Sequence, residues 1–220
     1  MRNPRLYAST GGAVLLLTAA LTASLAGGPA TADQDGSNHR QSAKVEANLD
    51  ALNDSGVTGE AEVKVKKHGH LDIEVEASGL LPGAPHAQHI HFGEQARHEC
   101  PTVADDSNKD FRLTTAEGLP AYGPIQVSLT TRGDTSPDSG LAVTRFPTAD
   151  NGRIDYDRDT RTSPEVARAI ARGEAVVVIH GVDHNNNGTY DFDGAGASEL
   201  NASLPAEATD PAACGVLHMD

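Results

Sequence analysis

Apolar and polar residues alternate with a period of two in two neighbouring stretches of the chain. Val57, Gly59, Ala61, Val63 and Val65 share one face, and Leu71, Ile73, Val75 and Ala77 repeat the pattern beyond a His-Gly turn. This predicts strands over 57–67 and 71–77, with Gly69 and Leu81-Pro82-Gly83 supplying turns. Further strands are predicted at Ala87–Phe92, Ile125–Thr131, Arg153–Tyr156 and in the apolar run Ala175–Ile179, with Asp150-Asn151-Gly152 as a hairpin turn. One short helix is expected, capped by Ser163, opened by Pro164, filled from Glu165 to Arg172 and stopped by Gly173. Many short strands with little helix and no internal repeat predict an all-β Greek-key sandwich or barrel with long loops.

The start of the chain adds a compartment. Arg2 and Arg5 precede an uncharged apolar run from Ala13 to about Ala26, and Ala30-Thr31-Ala32 places small residues at alternate positions. Residues 1–32 are therefore expected to be a signal peptide and the protein to be secreted. The run falls short of the ~20 apolar residues a membrane span needs. No Cys stands at its end, which argues against a lipid anchor. Residues 33–45 are expected to form a flexible polar lead and 46–220 one domain.

Charge narrows the partners. The whole chain carries 17 Lys and Arg against 31 Asp and Glu; without Arg2 and Arg5 the balance is 15 − 31 = −16. Such a surface disfavours nucleic acid and anionic membrane and suits divalent cations. Both cysteines, Cys100 and Cys214, lie beyond the signal segment, and an oxidising compartment favours their pairing. Nothing resembles a Ser/His/Asp hydrolase site, a phosphate loop or a nucleotide fingerprint.

His89-Ile90-His91 puts two imidazoles on one face of a strand, a half-site suited to copper or zinc. Taken alone, the motif is more readily a polar strand face than a metal half-site. Its surroundings say more. Leu81-Pro82-Gly83, then Pro85-His86-Ala87-Gln88-His89-Ile90-His91, then Cys100 nine positions on, closely resembles the copper/zinc superoxide dismutases. Ala213-Cys214-Gly215-Val216-Leu217 is similar to that family's closing strand, and Val176-Val177-Val178-Ile179-His180 to the strand that delivers a further copper histidine. The resemblance runs from about Leu52 to Leu217, specific in these blocks and loose between them. It implies copper on His89, His91 and His180, a Cys100–Cys214 disulfide, a buried non-ligating role for His86, and superoxide as substrate.

The departures from that family are equally informative. No histidine occurs between Pro101 and Ile179, the region from which the family draws its bridging and zinc histidines, so zinc is not expected. Asp134 echoes the zinc aspartate, but one carboxylate makes no tetrahedral site. Pro211 stands where the family has the arginine that guides superoxide to copper. His98 and His184 are candidates for a replacement ligand, whereas His68 and His70 are expected to face solvent. A second resemblance, to secreted domains of the CHRD class, rests on an Ala-x-His-x-His strand and a Gly followed by valines ending in His. It implies a non-catalytic alternative in which the histidines form a polar cluster or hold a non-redox metal.

Two acidic loops are candidates for calcium. Asp183, Asn185, Asn187 and Asp191 follow the D-x-N-x-N-G-x-x-D pattern, with Gly188 at the turn and Gly194 where a bidentate Glu would stand, so Asp193 or Glu199 would have to help. Asp106, Asn108, Asp110 and Glu117 offer a second set, although Phe111 replaces the turn glycine. The alternative reading of either loop is a solvated Asn/Asp turn. The choice is thus between a copper-only superoxide dismutase-like enzyme and a calcium-stabilised, non-catalytic extracellular domain of the same fold.

Overall fold

A computed structural model describes residues 42–219. The expected signal peptide and most of the expected lead lie outside the described residues. Strand β1 (Ala43–Ala51) begins inside the stretch read as a flexible lead, because Val45, Ala47 and Leu49 alternate into the core. β2 (Thr58–Val65) and β3 (His70–Ser78) follow as an antiparallel meander. The chain continues through β4 (Gln88–His91), α1 (Thr115–Tyr122), β5 (Ile125–Ser128) and β6 (Arg153–Arg161). It ends with α2 (Pro164–Ala171), β7 (Val176–His180), α3 (Phe192–Ala195), β8 (Pro211–Val216) and β9 (His218–Met219). α2 has the predicted ends: Ser163 caps it through the Val166 amide, and Pro164 opens it.

The strands run in the order β5-β4-β7-β8-β1-β2-β3-β6, with β9 paired to β1. β8 and β1 share only two pairs, Asp50 with Cys214 and Ala51 with Ala213. That narrow joint divides the order into two four-stranded layers. The connections from β3 to β4 and from β6 to β7 each pass from one layer to the other, which makes the fold an all-β Greek key. At the joint a Cβ on Gly215 would lie 2.3 Å from the Asn48 carbonyl oxygen, so only glycine lets the strands approach.

A single core joins Val45, Val63, Ile73 and Val75 of one layer to Ile90, Val177 and Ile179 of the other. Burial of a side chain of this size contributes about 1.5–3 kcal/mol. The second layer is covered on its other side as well. There Tyr122 of α1 packs with Val176, Val178 and Cys214. A Cys100–Cys214 disulfide, predicted from the sequence, ties the loop after β4 to β8.

Gln88 breaks the apolar pattern of the core. It shares the inward face of β4 with Ile90, is fully buried, and its amide N and O have no partner. An unpaired buried amide costs about 1–3 kcal/mol. Gln88→Met, which keeps the volume, is expected to raise the urea midpoint by an amount worth about 1–2 kcal/mol. A lower midpoint would mean that the amide is served by a group the apolar side chain displaces.

Candidate metal centre

With Gln88 and Ile90 facing inward, the period of two sends His89 and His91 to the other face of β4. His180 ends β7 on that same outward face, two residues past Val178. β4 and β7 are paired, Gln88 with Ile179 and His89 with Val178, so the three rings meet across two adjacent strands. Ring centroids lie 5.2 Å apart for His89 and His180, 5.6 Å for His89 and His91, and 6.2 Å for His91 and His180. One ligand nitrogen from each falls within 4.8 Å of the other two. Among the described residues, no other group of three His, Cys, Asp or Glu side chains converges this closely.

Each ring is fixed by a backbone carbonyl. His89 Nε2 lies 3.1 Å from the Gly140 oxygen, His91 Nδ1 2.8 Å from that of Gly123, and His180 Nδ1 2.7 Å from that of Thr209. A carbonyl only accepts, so the nitrogen facing it carries the proton and donates. The other nitrogen of each ring then holds a bare lone pair. Those nitrogens, His89 Nδ1, His91 Nε2 and His180 Nε2, are buried and have no hydrogen-bond partner. Three orphaned lone pairs aimed at one point are what a metal ion of imidazole preference requires, with backbone carbonyls as the outer support. The donor set fits copper.

Burial keeps the lone pairs available. Desolvation, and the neighbouring rings, hold His89 well below its usual range. Desolvation and the His180 ring push His91 down to about 3, and desolvation lowers His180 to about 4 despite the Thr209 carbonyl. All three are neutral at pH 7.

The carbonyls come from segments held for the purpose. Gly123 caps the C-terminus of α1 with φ of 85°, a conformation that favours glycine, and so turns its carbonyl toward His91. Gly140 packs so tightly that a Cβ would stand 2.7 Å from Ile125 Cδ1. The loop that carries Gly140 is pinned by Asp134, whose carboxylate accepts from the hydroxyls of Ser136 and Ser139, both at 2.6 Å. Those hydroxyls hold its pKa down to about 2. Arg145 completes the cluster by donating to Ser139 Oγ at 2.7 Å. Asp134, the echo of a zinc aspartate, thus braces the loop that orients His89.

The other histidines take no part in the trio. His86 is buried between the His180 carbonyl (3.0 Å), the Leu81 carbonyl (3.3 Å) and Tyr190 Oη (3.1 Å), and burial lowers its pKa. Its burial is as expected from the sequence. His98 stacks on Phe92 and bonds the Gly93 carbonyl at 2.8 Å, and His184 pairs with Asp210 at 2.9 Å, so neither replaces the missing bridging ligand. Pro211 opens β8, buried, with no charge to offer.

In the 183–191 loop, Asp183 accepts from the amides of Asn187 and Gly188, Asn185 from that of Asn187, and Asn187 from that of Thr189. Asp191 accepts the amides of Asp193 and Gly194. The carboxylate at the back of this loop is Glu207, fully buried, which accepts the amides of His184 and Asp191 at 2.8 and 2.9 Å. No local spacing announces Glu207. Glu199, proposed as a helper, instead accepts the Ala116 amide at 2.6 Å. In the second loop Asp106 accepts the amides of Lys109 and Phe111, Asn108 that of Asp110, and Asp110 that of Arg112. Glu117 closes a capping box with Thr114 at the start of α1 and bonds the Ser107 amide and hydroxyl. Thr114-x-x-Glu117 is a helix-start signature, and it was the signal that would have placed α1.

No family model matches the sequence, and no curated protein matches it. Among solved structures, the chain is similar to Candida albicans superoxide dismutase 5 with Cu(II), at 15% identity and a TM-score of 0.42, over 82% of this chain and 94% of that one. It is also similar to a superoxide dismutase-like protein from Bacillus subtilis, at 16% identity and a TM-score of 0.41, over 79% and 97% of the two chains. The clock protein EA4 aligns at 14% identity with a TM-score of 0.42, over 81% and 96%.

Proposed function

We propose that this is a secreted, copper-only protein of the superoxide dismutase type, in which His89, His91 and His180 hold one copper ion. The observation that carries the reading is the convergence of three buried, unpartnered imidazole nitrogens on one point. Bound copper would supply one-electron chemistry, with one superoxide oxidised to dioxygen and a second reduced to peroxide that takes two protons. The chain's own contribution is orientation and access. The Gly140, Gly123 and Thr209 carbonyls fix the tautomers, so the ligand nitrogens need no reorganisation to receive a metal. With no bridging histidine between Pro101 and Ile179, protons for peroxide come from solvent.

A Cu(II) titration of the disulfide-intact protein followed by EPR tests this. One equivalent of copper with three nitrogen couplings, lost in the His89→Ala/His180→Ala variant, is the expected result. Diffuse uptake that survives the double substitution would overturn it. The competing reading, a non-catalytic extracellular domain like the CHRD class and steadied by calcium in its acidic loops, draws on the fact that, among the described residues, no lysine or arginine lines the space beside the trio. A dismutase assay of the copper-loaded protein, with the double variant as control, separates the two.

A further inference from the structure

His89, His91 and His180 line one recess of about 350 Å³, a size that holds a small organic molecule. None of its lining residues is an acid, a lysine or an arginine. Pro124, Ile125 and Pro137 form its walls, and Leu119, Leu141 and Leu200 line it from three separate segments. Those leucines are 46%, 39% and 44% exposed, so they stand at the rim and not in the core. The two hydroxyls in the lining are already engaged. Thr115 Oγ1 donates to the Thr209 carbonyl at 2.7 Å, and Thr209 Oγ1 bonds Ser198 at 2.8 Å and the Ala206 carbonyl at 3.2 Å.

The charged groups beside the recess are already paired. Glu199, next to Leu200, bonds the Ala116 amide, itself beside the recess wall. Two cations touch residues adjacent to the lining, and both are engaged: Arg112 is held by the Ala195 carbonyl at 2.9 Å and faces Asp210 at 3.5 Å, and Arg145 donates to Ser139 Oγ at 2.7 Å and to the Asp134 carbonyl at 3.0 Å. An anion entering the recess loses its hydration and meets no counter-charge in the lining, so its only attraction would come from bound copper, in a chain whose formal net charge is −14. An uncharged apolar molecule gives up little hydration and covers the three leucines.

We propose that the recess above the histidine trio is a binding site for a small uncharged aromatic molecule, one whose single lone-pair nitrogen can reach the point where the trio converges. The recess is defined by the protein alone; ligation within it rests on the copper reading, and the experiment separates the two. In the copper-free protein, benzyl alcohol titrated against methyl NMR is expected to shift the Leu119, Leu141 and Leu200 signals and to leave Met219, exposed elsewhere, unmoved. In the copper-loaded protein, EPR titration is expected to give 4-phenylimidazole at least tenfold tighter binding than imidazole, with azide the weakest. Leu141→Lys, and independently Leu200→Lys, are expected to weaken 4-phenylimidazole and strengthen azide, since each puts a cation on an already exposed rim position.

Equal affinities for imidazole and 4-phenylimidazole, together with unmoved leucine methyls, would overturn the proposal. So would azide binding tightest to the unaltered protein. Failure to take up stoichiometric copper would sink the copper reading instead, and the copper-free titration would still decide the recess.

Discussion

Replacing both Cys100 and Cys214 by alanine is expected to cost the fold about 4–5 kcal/mol, the largest loss foreseen for any change outside the histidines. The bond closes a loop with a sequence separation of 114. On the chain-entropy account, a cross-link of that span removes much of the unfolded chain's freedom, and its loss leaves the native contacts largely in place. Cys214 is buried on β8, paired with Val178 of β7 and Asp50 of β1. Cys100 belongs to the loop that leads into α1, whose capping Gly123 carbonyl orients His91. The variant should therefore lose metal affinity along with stability. Urea unfolding of both proteins, compared by midpoint and slope, reads the first effect, and a copper titration reads the second. A loss under about 1 kcal/mol would mean that the reduced unfolded chain is already compact around this loop.

The sequence was legible where one face of an element is buried and the other wet. β2 and β3 follow from their alternation, the start of β6 was placed after the Asp150-Asn151-Gly152 turn, and α2 follows from its cap, proline and terminal glycine. The trio was legible for a related reason. A period of two places His89 and His91 side by side, and the resemblance to superoxide dismutases supplied His180.

Other parts were hidden by competing local signals. β1 alternates as clearly as β2, but it emerges from a polar stretch whose expected end overlaps its first three residues, and no strand was read there. α1 contains Gly118 and Pro120, both poor helix residues, and its capping Glu117 looked like the last oxygen of a calcium loop. The bracing of His89 by Asp134, Ser139 and Arg145 depends on hydrogen bonds from side chains to a loop backbone, which no periodicity encodes. Glu207 lies 16 residues beyond Asp191, yet it accepts that residue's amide. Only tertiary structure brings such groups together.

Acid should unfold the copper-free protein well before its carboxylates titrate. In the unfolded chain each histidine of the trio has a pKa near 6.5, whereas in the fold His91 lies at about 3, His180 at about 4 and His89 well below its usual range. Above pH 6.5 both states are neutral and the difference costs nothing. Below it the unfolded state binds protons that the folded state refuses, so stability rises with pH across the window from about 4 to 6.5 and is lost as pH falls through it. At pH 5 the unfolded-state pKa lies about 1.5 units above the pH, worth roughly 2 kcal/mol for each of His91 and His180, and His89 adds in the same direction. That is a large part of the stability of a typical domain. His86, also lowered by burial, adds to the loss in the same direction. Urea midpoints at pH 7, 6 and 5 are therefore expected to fall steeply. The His89→Gln/His91→Gln/His180→Gln variant keeps a side-chain donor at each position but cannot titrate, and most of the slope should disappear in it. If the unaltered protein were as stable at pH 5 as at pH 7, protons would be reaching these rings in the folded state. The dry, preformed metal centre would then have to be abandoned.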